Sequence, residues 1–390
     1  MLAGNRSRRT TIRLITFVIT LTIIVSAVLV TESILDERNP PAIPFHNTLY
    51  PYVVFRPPSN TEWQSDEPSP SSRTGEIAIE YSNKDGLRVE SSDYQLTPEK
   101  PKGQFRIVVI GGSTVRIGTR FDVTLPGALK RILNRRFPQS DIEVINAGIT
   151  SAISRQELIY LITTLVDYEP DMLIVYDGIN DSGQMLYYER RPDFPYNFSV
   201  MEHAWVQYAT AQTESVWQHI VSRSAILSNF LGKTGTQGDL LNPVSAKVLI
   251  NDKALRTSYA KAHIDNWEKI RRVCAAYGIQ PYFVLQPTSL YGLFPEGKKQ
   301  RTLPTPVYDN LHANYLVYEE FRKTAAEFSK RYPDTGTLDL SSMLPTDAFY
   351  DGAHIYDDVN DIVAARLAGL IESQITEQLR NKYKQRSERH

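Results

Sequence analysis

Short apolar runs that end in turns of small or polar residues recur along this 390-residue chain, and they constrain its fold more than any other feature. Residues 106–110 lead into Gly111-Gly112-Ser113-Thr114, 142–145 into Asn146-Ala147-Gly148, and 172–176 into Asp177-Gly178-Ile179-Asn180-Asp181. Residues 282–285 and 337–340 are runs of the same kind, and Asp351-Gly352-Ala353-His354 comes shortly after the last. Their length and their bounding glycines read as buried strands. Between them apolar residues repeat at helical spacing over 125–137, 155–167, 254–277 and 313–332, with a last helix over about 359–383. Such alternation predicts a parallel sheet with helices on both faces. Open sheets of this kind hold ligands beyond the C-terminal ends of their strands, which is where all four motifs fall.

The composition, 42% hydrophobic and 22% charged, is that of a globular protein. A net charge of −1 and the lack of a basic run away from the ends exclude a nucleic-acid partner. A single cysteine, Cys274, excludes an intrachain disulfide framework and a cysteine-based zinc site. It sits near the end of a helical pattern, and a buried inert thiol is expected there. No His-x-x-x-His or acidic metal-loop pattern occurs, so no metal and no cofactor is expected.

Residues 14–30 contain no charge, glycine or proline; Arg6, Arg8, Arg9 and Arg13 precede them, and Glu32, Asp36 and Glu37 follow. A helix of that length spans roughly 25 Å, near the lower limit for a bilayer, and Ile12 with a snorkelling Arg13 extends it. The charge bias predicts a single-pass anchor with its N-terminus in the cytoplasm and the remainder outside. A cleaved signal peptide with a site near Ser26-Ala27 is the rival reading. The apolar stretch exceeds the usual ~7–15 residue core of such a signal, and the site lies inside it, which favours the anchor. Three regions follow: 1–35 as cytoplasmic tip and anchor, 36–103 as a Pro/Ser-rich stalk and pre-domain segment, and 104–390 as the principal domain. The long gap between the third and fourth strands makes about 184–252 an insertion at the rim of the site. Its Tyr187, Tyr188, Arg190, Arg191, Tyr196, Trp205 and Tyr208 are candidate substrate contacts, the alternative being a helical cap whose aromatics are core.

A serine hydroxyl needs an adjacent base before it can attack a carbonyl. Ser113 lies on a Gly-rich strand-to-helix turn suited to that role, although a helix N-cap serine would look the same. His354 follows Asp351 by three residues in the last of the motifs. His312 also follows an aspartate, Asp309, at that spacing; it and His46, His203, His219, His263 and His390 read as surface or ordinary packed residues.

The four motifs, in this order, resemble the SGNH (GDSL-like) hydrolase superfamily, and those around residues 105–115, 144–161 and 170–181 are similar to its membrane-anchored bacterial branch. The resemblance covers roughly residues 104 to 370. It implies a three-layer α/β/α, flavodoxin-like fold with a parallel sheet of about five strands. It implies Ser113 as nucleophile, His354 as base and Asp351 as the acid that orients it, with Ser113, Gly148 and Asn180 as oxyanion donors. Asp181 would then bond backbone amides and fix its own loop. One departure is visible, since Gly112 stands where the family has the aspartate of its Gly-Asp-Ser. The implied activity is that of a serine esterase in a bacterial envelope, cleaving an O-acyl ester such as an O-acetyl group on a surface carbohydrate. An O-acyltransferase with the same triad, acting on an envelope polysaccharide, and a non-catalytic tethered binding protein on a hydrolase fold are the alternatives. Asn180-Asp181-Ser182 and Asn197-Phe198-Ser199 match a glycosylation sequon and are read as chance matches, because the first would block the site.

Overall fold

A computed structural model of the chain describes residues 20, 47–196, 198–211, 241–294 and 304–387. The expected anchor at 14–30 therefore lies outside the described residues apart from Thr20, and no helix among those described is long and apolar enough to cross a membrane. The chain divides into two compact units, Met1–Pro44 with Ser199–Leu241, and Phe45–Phe198 with Asn242–His390. Of the first unit, the helical residues 199–211 are the main part described.

The second unit is an α/β fold on one mostly parallel sheet. Its central strands are β6 (Phe105–Gly111), β7 (Ile142–Gly148), β8 (Met172–Asp177), β9 (Gln280–Leu285) and β10 (Gly336–Asp339), all paired in parallel. In space they run β10-β9-β8-β6-β7. The chain thus starts in the middle and reverses direction between β6 and β8, and a crevice opens at such a switch point. Alternation along each strand divides the core in two. Val108 and Ile110 face one layer with Leu173, Val175, Phe283 and the helix Lys253–Tyr277. Ile107 and Val109 face the other with Ile174, Val284 and the helices Leu125–Arg136 and Asn360–Ser387. All four of those β6 side chains are fully buried, each contributing about 1.5–3 kcal/mol of apolar transfer energy.

The sheet is wider than the expected five strands. Three antiparallel strands, β3 (Glu62–Pro68), β4 (Ile77–Ser82) and β5 (Arg88–Val89), continue it beyond β7, where β5 pairs through Arg88 and Asn146. These residues come from the segment read as stalk and pre-domain segment, of which 49–52 and 81–88 were expected to pack on the domain. They were hidden because β3 is almost entirely polar, a sequence suited to an exposed edge. The segment is nevertheless integral, since Val53, Leu87 and Val89 are buried in the same core as Val108 and Ile110. A separate small hairpin, β1 (Thr48–Tyr50) and β2 (Val54–Arg56), precedes it.

Two buried arginines tie this extension to β6 and the turn after it. Arg88 donates to the carbonyls of Ile79, Arg116 and Gly118. Arg116 bonds Glu80 and reaches the carbonyls of Gly86 and Gly148. Burial lowers the Arg88 guanidinium to about 10 despite the neighbouring Glu80.

Candidate active site

The parallel register brings three strand ends level, with Gly111 opposite Gly148 on one side and Tyr176 on the other. The turns that follow therefore converge. Beyond Gly111 the chain enters the short helix Ser113–Arg116, whose first residue is Ser113. As the first helical residue, Ser113 has no intrahelical acceptor for its N–H. Gly111 and Gly112 are both sterically required. A Cβ on Gly111 would overlap the Tyr176 carbonyl, and one on Gly112 would overlap the Asn180 side-chain amide.

His354 arrives from the other end of the sheet, well after β10. Its loop is fastened to the segment after β9, because Ser289 Oγ and Thr288 Oγ1 both donate to the Gly352 carbonyl, at 3.0 and 3.2 Å. Tyr350 stacks on the imidazole at 5.6 Å between ring centres. In this position His354 Nε2 is 2.6 Å from Ser113 Oγ, and His354 Nδ1 is 2.7 Å from Asp351 Oδ2. Asp351 also accepts the backbone N–H groups of Ala353 and His354 at 2.8 and 2.7 Å. Partial burial alone would raise this carboxyl. The hydrogen bond and charge of His354, together with the two backbone donors, outweigh it and hold Asp351 below the ordinary aspartate value. A hydroxyl, an imidazole and a carboxylate in this series can move a proton off the hydroxyl as it attacks.

The three residues border a pocket of about 350 Å³. Ile117, Ile179, Leu290 and Leu311 give it apolar walls, and Tyr187, Tyr188 and Tyr196 add aromatic ones. Asn180 lies at its base and donates one amide hydrogen to the Ala152 carbonyl at 2.7 Å, leaving the other for the pocket. A larger pocket of about 600 Å³ lies elsewhere, beside Tyr81, Phe121 and Lys130, and has no nucleophile with a base.

Several expected site residues are placed differently. Gly148 does not border the pocket: its N–H donates to Asn146 Oδ1 at 3.1 Å, its carbonyl accepts from Arg116, and a Cβ there would collide with the Arg116 backbone. Ser151, further along the same loop, does border the pocket, with φ at 64°, and no acceptor for its N–H is found among the described residues. The sequence carried no signal for this, because a serine gives no hint of a left-handed backbone. Tyr187 and Tyr188 line the pocket as expected, whereas Arg190 and Arg191 do not. Arg191 is paired with the buried Glu189 at 2.8 Å and lies over Phe194, and Arg190 donates to the Pro243 carbonyl. The side chains of Trp205 and Tyr208 lie outside the described residues.

Asp181 is turned away from His354 and accepts Ser154 N–H at 3.0 Å and Ser154 O–H at 2.5 Å. His263, read from sequence as unremarkable, is buried and bonds Asp177 Oδ1 through Nε2 at 2.9 Å. Burial pushes the Cys274 thiol up to about 12, which removes it as a rival nucleophile.

No family model matches the chain, and no curated protein matches it. Solved structures are similar to it at low identity. A gut microbial diltiazem-metabolizing enzyme is 15% identical, with 71% of this chain and 49% of that one covered and a TM-score of 0.41. The chain thus spans about half the length of that enzyme. A GDSL-like lipase from Bacteroides thetaiotaomicron is 12% identical, with 69% and 88% covered and a TM-score of 0.37. A lipase/acylhydrolase from Enterococcus faecalis is 14% identical, with 69% and 96% covered and a TM-score of 0.36. Likenesses this remote assign no activity to the chain.

Proposed function

We propose that this protein is a serine esterase. The observation that supports it is the unbroken series from Ser113 through His354 to Asp351, opening on a pocket with free N–H donors. Ser113 Oγ attacks the ester carbonyl carbon while His354 Nε2 takes its proton. Asp351 keeps the imidazole oriented through Nδ1 and stabilises the imidazolium that forms. Negative charge that develops on the carbonyl oxygen is met by the N–H groups of Ser113 and Ser151 and the amide of Asn180. Donors aimed in advance at that charge are the largest contribution of such sites to rate. Collapse of the intermediate breaks the bond to the alcohol oxygen, which leaves with the proton held by His354. Water then attacks the acyl-enzyme by the same route in reverse, releasing the acid and Ser113.

Among the described residues, His354, Asp351 and the tyrosines are the ionisable side chains that border the pocket, so an uncharged O-acyl ester fits it. An O-acetyl or other O-acyl group on a surface carbohydrate suits a domain exported by the apolar segment at 14–30, and that setting rests on the sequence alone. The test is labelling with a serine-reactive fluorophosphonate alongside hydrolysis of p-nitrophenyl acetate. Wild type should label and turn over, whereas Ser113→Ala should do neither. Turnover near wild type in folded Ser113→Ala or His354→Ala would end this reading.

A further inference from the structure

One helix supplies a whole side of the pocket beside Ser113. Asn180, Gly183, Gln184 and Tyr187 stand at positions i, i+3, i+4 and i+7 of Ile179–Tyr187, share its face and all border the pocket. Gly183 therefore lies one turn beyond Asn180, the amide that faces the developing charge. The long helix Thr305–Arg331 packs against this one and adds Leu311 and Asn314 to the pocket. Gly183 keeps the space between them open: a Cβ on it would lie 3.6 Å from the Tyr187 ring and 3.9 Å from Asn314 Nδ2, both ordinary contact distances.

Asn314 is 6% exposed, yet its amide is unpaired. Oδ1 is buried without a donor, and Nδ2 has no acceptor among the described residues. The neighbouring amides differ, since Asn180 donates to the Ala152 carbonyl and Gln184 to the Phe194 carbonyl, at 2.7 and 3.0 Å. Buried polar groups are almost always paired, because leaving one dry and unbonded destabilises the fold. An unpaired amide on a pocket wall therefore marks a contact that the substrate completes. With nothing fixing this amide, a half-turn about its last bond exchanges donor and acceptor, so it suits a group that is both, a hydroxyl. His354, Asp351 and the tyrosines are the ionisable side chains bordering the pocket among the described residues, so no fixed cation is there for an anionic group. Tyr187, 40% exposed, sets an aromatic ring beside the amide. An apolar surface next to a single polar contact matches a sugar ring, which has C–H faces and a rim of hydroxyls.

We propose that Asn314 is a specificity-determining residue that binds a hydroxyl of the alcohol carrying the ester, and that this alcohol is a sugar whose C–H face lies on Tyr187. The assignment rests on the esterase reading of Ser113. Because Asn314 faces Gly183, one turn from Asn180, the hydroxyl it holds is one close to the acylated carbon. A pocket built to pair a substrate hydroxyl discriminates against an ester lacking it far more strongly than against one that differs only in size.

The test compares acetates of one ring size with the full chain: methyl glucosides carrying one O-acetyl group, placed at each position in turn, and cyclohexyl acetate, which has no hydroxyl. Acetate release gives kcat/KM for each. Wild type should favour its best glucoside over cyclohexyl acetate by about 10²-fold or more. Asn314→Leu, which removes the amide at nearly constant volume, should cut that ratio by about 10- to 100-fold, and it should melt at or above wild type because an unpaired buried amide is gone. Gly183→Ala should also cut the ratio, since its methyl group fills the space beside the amide while the helix accepts alanine. A wild type with no preference for any glucoside, or an undiminished ratio in both variants, would overturn the proposal. Failure of the esterase reading has a different signature, a wild type that hydrolyses neither kind of acetate and takes no fluorophosphonate label, and it would remove this assignment as well.

Discussion

The side chain of Asn180 rests directly against Gly112, so that a Cβ on Gly112 would overlap its amide nitrogen. The same nitrogen donates to the Ala152 carbonyl, so making way for a Cβ would disturb that bond. The glycine before Ser113 is thus the counterpart of the asparagine that follows β8.

That pairing gives a double-mutant test. Asn180→Ala should lower kcat by roughly 10²- to 10³-fold with little change in KM, the usual loss for one donor that acts as charge develops. Gly112→Ala should cause a comparable loss by displacing the amide. Because both changes remove one interaction, the double variant should be little worse than either alone. Steady-state kinetics on p-nitrophenyl acetate check this, and fully multiplicative losses would show that Gly112 and Asn180 act separately.

Asp351 and Asp181 separate in the same assay. Asp351→Asn removes the carboxylate that faces His354 Nδ1 and should lower kcat by about 10²- to 10⁴-fold in a folded protein. Asp181→Asn disturbs two bonds to Ser154 and should act on thermal stability and loop order first. A folded but inactive Asp181→Asn together with a dispensable Asp351 would reverse these roles.

The strand-end motifs were legible because the sheet's register, fixed by fully buried runs such as 107–110, leaves little choice about where the following turns emerge. The donor after β7 was not. Gly148 looked like the position where a backbone must come close, yet what approaches it is Arg116. Two predictions follow from that difference. Gly148→Val should fail in folding, because its Cβ would strike backbone on a strand with no freedom to move. Ser151→Gly should keep its activity and be as stable as wild type or slightly more so, since glycine accepts a φ of 64° without strain. Circular dichroism and kcat on the purified variants decide both.

The N-terminal extension was legible only in part, for a different reason. Its apolar content is low, and its anchoring is done by arginines whose partners are backbone carbonyls, a pattern with no sequence periodicity. Removing residues 1–103 should therefore leave a chain that does not fold, whereas loss of a true stalk would be harmless. Arg88→Met should cost about 3–5 kcal/mol, because three carbonyls lose their donor, while Glu80 keeps Arg116 as its counter-charge. Urea unfolding measures the second and expression of the truncated chain the first. A soluble, cooperative, active truncated protein would restore the stalk reading.

Glu157, Asp177, Asp181 and His263 lie together and predict a pH response of the protein. Burial is the main cause that raises Glu157 well above the ordinary glutamate value, and Asp177 and Asp181 add to it. Burial likewise pushes Asp181 up to about 6, with Asp177 adding to the rise and His263 and Ser154 opposing it. His263 is raised as well: burial opposes the shift, but the charges of Asp177, Asp181 and Asp193 prevail. For the two raised acids the folded state holds more protons than the unfolded chain once pH passes the unfolded values near 4, so their contribution to stability falls as pH rises. The raised histidine acts in the same direction, its stabilisation being present below about 6.5 and lost through its folded value. Asp351, depressed when folded, works the opposite way, but only below about pH 4. Between about pH 5 and 8 the protein should therefore melt at progressively lower temperature. Melting curves at constant ionic strength test this, and a melting temperature that rises over that range would contradict the protonation assigned to Glu157, Asp181 and His263.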